Sequence, residues 1–409
     1  MRRVAPLCAY YFMALAVGGA YLPYFPRWLE ARGMLGTELG IISAAGPATG
    51  VIAPIVIGVL ADRMGLRGGL LQIAWTGALA TLAALTLLAY LHVPLGFVTL
   101  FAAALALAVF RSPTTLVADV LALEFTAAGR TSYGRMRLWG SIGFMVAAVA
   151  VPAVMDPADM VRFPLALTAI TLGALLASLA LPSRATLPAP TSPGAWRSLW
   201  AERDVRLFCL TAFLYQCGHV AYDLCFTIHL LALGMPRTTV GIAWAIGTGA
   251  EVVLMAGGTR IFSALSPASA LAWGLAGASA RWVLVAVVRS PLVLLLMQPL
   301  HAISFAVVWL ALVRFASRRF PPQFLGTAQG TLSTSMGAGS VLGMVLWGTA
   351  FDAAGGSVVF AGAAFFCACA TLCALSLRRG ESAPHRRCNE KTDGSPTVRP
   401  NTNCGSQTS

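Results

Sequence analysis

Residues 68–89 read GGLLQIAWTGALATLAALTLLA and contain no charged side chain. A helix needs roughly 20 apolar residues to cross the hydrocarbon core of a bilayer, so this stretch predicts a membrane-spanning helix. Comparable runs recur along the whole chain. Together they predict an all-α membrane protein with twelve transmembrane helices, over residues 4–24, 38–61, 68–89, 95–117, 138–155, 163–181, 207–233, 238–258, 268–288, 291–313, 326–351 and 358–377.

The overall composition favours the same class of protein. Of 409 residues, 58% are hydrophobic and 11% are charged, whereas an average soluble domain has about 25% charged residues. The net charge of +13 suggests nucleic acid at first sight, but the arginines lie between the apolar runs and form no stripe on an amphipathic helix. We therefore expect no nucleic-acid partner. The nine cysteines include no C-x-x-C pair, which predicts free thiols and neither a metal nor a cofactor.

The distribution of basic residues predicts the orientation. With a cytoplasmic amino terminus, the inside segments hold 21 of the 28 basic residues, the asymmetry typical of inner-membrane proteins. We expect a multi-pass protein of the bacterial inner membrane with both termini in the cytoplasm. The runs divide into two six-helix halves, 1–181 and 207–377, joined by the Pro-, Ser- and Arg-containing linker 182–206. The polar segment 378–409 predicts a disordered cytoplasmic tail.

The connection between the second and third runs reads Gly58-Val-Leu-Ala-Asp-Arg-Met-Gly-Leu-Arg67. It resembles the loop signature that the major facilitator superfamily carries between its second and third helices, where the loop latches the inward gate. The alternative is a tight loop with ordinary topogenic arginines. The resemblance implies a gating role for Gly58, Asp62, Arg63, Gly65 and Arg67.

Residues 133–144, YGRMRLWGSIGF, begin the fifth run. They resemble the phenylpropionate permease branch of the superfamily and, more distantly, lactose permease, a likeness that extends over about residues 10–377. It implies the major facilitator fold, two bundles of six helices around a polar site at mid-membrane.

Charged side chains inside the runs are candidates for function, because a charge at bilayer depth is costly unless it is paired or faces water. Asp119 ends the fourth run and Arg137 begins the fifth, so the two side chains could meet across a short loop. The resemblance to lactose permease places this pair at the sugar site, whereas the alternative is a structural salt bridge. In the second half, the resemblance matches Glu251, Arg281 and His301 with the coupling network of lactose permease.

Two departures from that network bear on the proton. Ser304 stands where lactose permease has its proton-carrying carboxylate, while Gln298 and Phe226 replace a lysine and aspartate pair. Because serine does not titrate, we expect Glu251 to carry the proton, with Asp223 as the second candidate and His301 as a coupling partner. Gln216, His219 and Asp223 are spaced to share one helix face. The substrate-binding candidates are Asp119, Arg137, Phe144, Gln216, His219, Tyr222, Arg281 and Gln298.

These residues predict a secondary transporter that couples protons to the symport of a small organic solute. The resemblance favours an aromatic, phenylpropionate-like carboxylic acid as the solute, and we expect the protein to be a monomer. Symport of a sugar or nucleoside, and export, stay open. A membrane sensor that does not transport is the alternative from another class. The runs contain no H-E-x-x-H, G-x-S-x-G or phosphate-cradling motif in a suitable context, so we expect no enzyme.

Overall fold

The computed structural model describes residues 4–64, 67–127, 133–155, 160, 162–181, 202–257, 265–320 and 325–382. These residues form helices joined by short connections, and no strand occurs among them. The first half contains α1 (Ala5–Ala31), α2 (Gly36–Met64), α3 (Arg67–Tyr90), α4 (Phe97–Ala127), α5 (Tyr133–Val154) and α6 (Arg162–Leu179).

The second half is less regular than the first. It contains α7 (Arg203–Ala232), α8 (Arg237–Gly257), α9 (Pro267–Val287), α10 (Pro291–Leu296), a 3-10 turn (Gln298–Leu300), a π-helical segment (Ala302–Val307), α11 (Val308–Arg319) and α12 (Leu325–Ser382). α12 is two helices joined at Gly355, whose φ of 74° and ψ of 175° interrupt the helical backbone.

Nine segments of the described residues are long and apolar enough to cross a membrane, and one of them runs through the break at Gly355. The structure is therefore that of a multi-span membrane protein, and the count of twelve spans stays a prediction. α7 begins at Arg203, inside the predicted linker, and α12 continues to Ser382, inside the predicted tail. The rest of the linker (182–201) and of the tail (383–409) lies outside the described residues.

α7 is not one of the nine segments, because it carries four charged residues and further polar side chains. It nevertheless buries most of its length, including Phe208, Tyr215 and Tyr222. Its neighbours explain this burial, because α7 packs against α12, α1 and α8. A helix with polar side chains is stable at bilayer depth when protein rather than lipid surrounds it, so α7 marks the polar centre of the molecule.

The helices of each half pack against one another, and among the described residues the most extensive contacts between the halves involve three helix pairs. α1 contacts α5 and α6, while α9 contacts α11 and α12. The pairs α1–α7, α2–α12 and α5–α8 connect the first half to the second. α1 and α5 cross where Gly19 lies against the backbone of Phe144 and Gly143 lies against the backbone of Phe12. A side chain at either glycine would collide with the facing backbone.

One contact between the halves, hereafter the outer contact, joins the start of α2 to α12 next to its break. Gly40 lies against the backbone of Met344, and Gly348 lies against the backbone of Gly36 and Gly40. Thr37 and Thr349 share a hydrogen bond of 3.0 Å between their hydroxyl oxygens. The arginine distribution predicts that this end of the bundle faces the outside of the cell.

Candidate functional site

The polar face of α7 lies at the centre of the second half. His219 is 3% exposed, and its Nδ1 lies 3.4 Å from the hydroxyl of Tyr215. The Oε1 atom of Gln216 is buried and has no hydrogen-bond partner among the described residues. Asp223 is partly exposed and belongs to none of the ion pairs that the described residues form. Among the described residues, this face therefore presents a buried acceptor on Gln216 without a partner and an Asp223 carboxylate outside the ion pairs, while His219 is held by Tyr215.

Arg281 on α9 is 1% exposed and donates three hydrogen bonds to neutral side chains. Its Nη1 atom lies 3.2 Å from Nδ1 of His301 and 3.1 Å from Oγ of Ser304. Its Nη2 atom lies 3.1 Å from Oε1 of Gln298. The serine that replaces the family's carboxylate thus becomes a hydrogen-bond partner of the arginine. The guanidinium is committed to protein groups on the tenth predicted span.

The irregular backbone between α10 and α11 holds these partners. In a 3-10 turn the side chains at positions i and i+3 eclipse, which stacks Gln298 and His301 on one side. Pro299 contributes to the irregularity because it has no N–H to donate to a regular helix. The adjoining π-helical segment carries Ser304, and such segments often occur at functional sites.

His301 connects Arg281 to Glu251. An arginine side chain has no acceptor, so its contact with His301 requires Nδ1 to accept and Nε2 to carry the proton. Nε2 faces Glu251 on α8, where Oε2 lies 3.9 Å away. The Glu251 side chain is 20% exposed. Arg281, His301 and Glu251 therefore form a chain of polar contacts across three elements of the second half.

Aromatic rings line the route from this chain to the first half. The guanidinium of Arg281 lies 4.8 Å from the ring of Tyr222 and 4.4 Å from that of Trp282. Tyr222 lies 4.4 Å from Trp244 between ring centres, and Trp244 lies 6.3 Å from Phe144 on α5. Phe144 and Trp244 belong to different halves, so their contact bridges the interface.

Asp119 in the first half is held by the first helix. Its Oδ1 accepts a hydrogen bond of 2.7 Å from the hydroxyl of Tyr11. The neighbouring Tyr10 donates to the backbone oxygen of Thr114 and accepts from Nε1 of Trp75. Tyr10 and Tyr11 are both fully buried, and their hydrogen bonds tie α1 to α3 and α4.

Arg137, the other member of the expected pair, lies at the start of α5 and is partly exposed. Its charge acts on Glu251 of α8, a helix that packs against α5. The pairing of Arg137 with Asp119 stays a prediction.

The structure describes the backbone of four of the predicted gating residues and does not describe the fifth. α2 ends at Met64 and α3 begins at Arg67, which puts Gly58, Asp62 and Arg63 in the last turns of α2. Gly65 and the side chains of the other four residues lie outside what the structure describes. Their gating role stays a prediction.

Arg111 on α4 is one of the charged side chains inside the apolar runs, and the sequence assigned it no specific role. Its guanidinium lies 5.0 Å from the ring of Tyr21 on α1, and Pro113 lies inside the same helix two positions further on. Trp244 was also missed, although it joins Tyr222 to Phe144. The charge of Arg111 inside an apolar run was a usable signal for the first residue. For Trp244 no local pattern distinguished it from a packing residue.

Long apolar helices that enclose polar and aromatic side chains are typical of a polytopic membrane transporter. The MFS_1 like family model matches residues 5–361, and the chain belongs to this family. It is a transporter of the major facilitator type and not an enzyme.

The chain is similar to two curated relatives. It is 27% identical over 320 residues to the "Probable 3-phenylpropionic acid transporter" of Escherichia coli (strain K12), covering 76% of this chain and 81% of the relative. It is 28% identical over 288 residues to the "Maltose permease" of Geobacillus stearothermophilus, covering 69% and 70%.

Among solved structures, the fold of this chain is similar to the crystal structure of the nucleoside transporter NupG. The TM-score is 0.79 and the identity 16%, with 93% of this chain and all of the other covered. At this identity the likeness supports the shared fold alone.

Proposed function

We propose that the protein is a proton-coupled symporter that imports small aromatic carboxylic acids across the bacterial inner membrane. The observation that carries the proposal is the contact chain from Arg281 through His301 to Glu251. It joins a buried, permanently charged group to a carboxylate that can take up a proton. The two halves would rock about this site to expose it to each side in turn.

The coupling follows from the balance of charge. The hydrogen-bond partners of Arg281 are neutral. Its counter-charge in this chain of contacts is the Glu251 carboxylate, on the far side of His301. A buried charge without a counter-charge is costly. When Glu251 takes up a proton, an anionic solute that enters between the halves restores the balance. Proton and anion therefore favour each other's binding, and such coupling is reciprocal.

The chemistry of the lining supports an aromatic acid as the solute. Tyr222, Trp244 and Phe144 offer ring faces across the interface, and rings pack favourably against one another. The similarity to a probable 3-phenylpropionic acid transporter points to the same class. A working monomer with cytoplasmic termini completes the proposal.

Transport by reconstituted protein tests the coupling. In proteoliposomes with an acidic outside, the wild type is expected to accumulate radiolabelled 3-phenylpropionate above its equilibrium level. Glu251→Gln keeps the neutral form of the side chain and should abolish this accumulation while keeping solute exchange at equal pH. Exchange needs only solute binding and the conformational change. A variant that still exchanges solute is therefore folded, and its loss of accumulation reports a loss of proton coupling.

Glu38→Gln is the matched control, because Glu38 is exposed at the start of α2, away from the site. This variant should accumulate solute like the wild type. Uphill accumulation by Glu251→Gln at the wild-type level would remove Glu251 as the coupling residue, and Asp223→Gln would then be the next variant to measure.

A second candidate is symport of a neutral polar solute such as a sugar or nucleoside. The observation that favours it is Oε1 of Gln216, a buried acceptor without a partner among the described residues, which a solute hydroxyl would satisfy. Uptake of maltose and uridine in the same proteoliposomes distinguishes the two candidates. Accumulation of either, without accumulation of 3-phenylpropionate, would favour the neutral solute.

A further inference from the structure

We infer that Arg111 is the residue that binds the carboxylate of the transported solute. This inference rests on the proposed function and assigns one step of it, solute recognition, to the first half. It concerns a residue on α4 that lies outside the chain of contacts from Arg281 to Glu251.

The first observation is that Arg111 has no anionic partner among the described residues. It belongs to none of their ion pairs, and the interaction found for its guanidinium is with the ring of Tyr21 at 5.0 Å. A ring face attracts a cation but leaves the N–H donors of the guanidinium free to bind in its plane. Arginine presents these donors in a geometry that matches a carboxylate.

The second observation is the position of Arg111. It lies near the middle of α4, far from either end of that helix, and it is partly exposed. Its Nη2 atom and the Phe144 ring lie 4.0 Å and 3.7 Å from the position that a Cβ on Gly18 would take. Arg111 thus shares one space with residues of α1 and α5. A charged group at this depth faces the interior of the bundle, where it is not exposed to lipid.

The third observation is that protein groups hold the backbone around Arg111 within a continuous helix. Pro113 removes one helical hydrogen bond, and the hydroxyls of Ser112 and Thr114 donate to the carbonyl oxygens of Val109 and Arg111. The hydroxyl of Tyr10 donates to the carbonyl oxygen of Thr114. The backbone that carries Arg111 is therefore fixed, while the interaction found for its guanidinium is with the Tyr21 ring.

Comparison with Arg281 shows why the two arginines differ in role. The guanidinium of Arg281 is 1% exposed and bonded to three side chains, so a solute would have to break these bonds to reach it. Arg111 is partly exposed and has no such bonds to break. A solute with its carboxylate on Arg111 would place an aromatic ring against Phe144, next to Trp244 of the other half. Binding would thus bring together groups from both halves.

The test compares an acid with its neutral amide in full-length protein. Competition against exchange of radiolabelled 3-phenylpropionate is measured in proteoliposomes without a pH gradient, with unlabelled 3-phenylpropionate and 3-phenylpropionamide as competitors. Arg111→Gln should weaken the apparent affinity for the acid roughly 10- to 100-fold, as expected for the loss of a hydrogen-bonded ion. The affinity for the amide should stay within about twofold of the wild type, because the amide does not use the charge.

Two further variants complete the test. Arg111→Lys keeps the charge without the planar donors, so it should recover part of the lost affinity. Arg162→Gln removes an exposed arginine at the start of α6 and should leave both affinities unchanged. Equal affinity of Arg111→Gln and Arg162→Gln for the acid would overturn the inference and leave the proposed function standing. Loss of amide binding in Arg111→Gln would mean that the residue supports the fold, which also overturns the inference.

The proposed function fails separately, in the wild type. Wild-type protein that exchanges no 3-phenylpropionate would overturn both the proposed substrate class and the role of Arg111. Wild-type protein that exchanges the acid but does not prefer it to the amide would overturn the role of Arg111 alone.

Discussion

Arg281 and Arg111 both lie inside the helix bundle, and their surroundings give them different properties. Arg281 is enclosed by His301, Ser304 and Gln298, while Arg111 has an aromatic neighbour and partial exposure. Hydropathy treats both as single charges within apolar runs. The two arginines differ in whether a neighbouring helix supplies hydrogen-bond acceptors to the guanidinium. That depends on how the helices pack.

Ser304 offers a test of the charge balance around Arg281. Its Oγ lies 3.1 Å from Nη1 of Arg281, so Ser304→Asp would place a fixed negative charge against the guanidinium. Arg281 would then no longer need Glu251 or an anionic solute as counter-charge. We expect the apparent affinity for 3-phenylpropionate to fall about tenfold, which corresponds to about 1.4 kcal/mol, and proton-driven accumulation to weaken. Exchange and accumulation in proteoliposomes measure the two effects.

Ser304→Ala is the control for this substitution. It removes one neutral hydrogen bond, for which the net contribution is about 1 kcal/mol, and adds no charge. Accumulation should persist with only a few-fold change in affinity. Identical behaviour of the two variants would contradict the charge balance and leave hydrogen bonding as the role of Ser304.

At the residue scale, the sequence predicted the identity of the polar groups better than their partners. Glu251 and His301 do lie close to each other, as their family positions implied. The contact of Asp119 with Tyr11 was not predicted, and the pairing of Asp119 with Arg137 stays a prediction. Such partners depend on how α1 packs beside α4, and no spacing within one helix encodes that packing.

At the scale of helices, the regular spans were predictable and the irregular ones were not. α3, α6 and α9 agree closely with their apolar runs, because an uninterrupted apolar stretch of this length satisfies its backbone in lipid only as a helix. The segment from Pro291 to Arg319 also reads as a single run, but it contains a 3-10 turn and a π-helical segment. Pro299 and the hydrogen bonds that this segment makes with Arg281 account for these distortions. Arg281 lies on another helix, so the sequence of the segment itself does not reveal them.

The break in α12 depends on one residue. Gly355 has φ 74° and ψ 175°, a region that glycine alone enters readily, and no heavy atom lies within 4 Å of the position of an added Cβ. Gly355→Ala should therefore destabilise the protein by backbone strain alone, by about 1–3 kcal/mol. A lower melting temperature of the purified protein in detergent would measure this.

Gly330→Ala is the matched control in the same element. Gly330 has helical backbone, and nothing lies within 4 Å of its added Cβ. Alanine favours helix over glycine by about 1 kcal/mol in soluble hosts, so this variant should melt at or above the wild-type temperature. A stable Gly355→Ala protein would show that α12 tolerates a continuous helix at this point.

At the scale of the whole molecule, the halves meet through α1–α7, α2–α12 and α5–α8. Alternating access requires that some of these contacts open while others close. The outer contact is a candidate to open, since it joins the start of α2 to the stretch of α12 just before the break at Gly355. Its position was not predictable from hydropathy, because each glycine within it is also compatible with packing inside one half.

A cross-link between Thr37 and Thr349 tests this movement. Their hydroxyl oxygens are 3.0 Å apart, so the double variant Thr37→Cys/Thr349→Cys, in a cysteine-depleted background, should form a disulfide on oxidation. Oxidation should then stop uptake, and a reductant should restore it, because the outer contact can no longer open. Each single variant should transport equally well with and without oxidant. Undiminished uptake by the cross-linked protein would mean that the outer contact stays closed throughout transport.

The outer contact also bears on the environments in which the protein can work. It consists of glycine backbone, a pair of hydroxyls and the exposed carboxylate of Asp352, which lies beside Gly36. Dissolved ions screen interactions between exposed charges over about 10 Å at 0.1 M, but they have little effect on packed backbone. Closure at this end should therefore respond to salt only through the Asp352 carboxylate, because the glycine and hydroxyl contacts carry no charge.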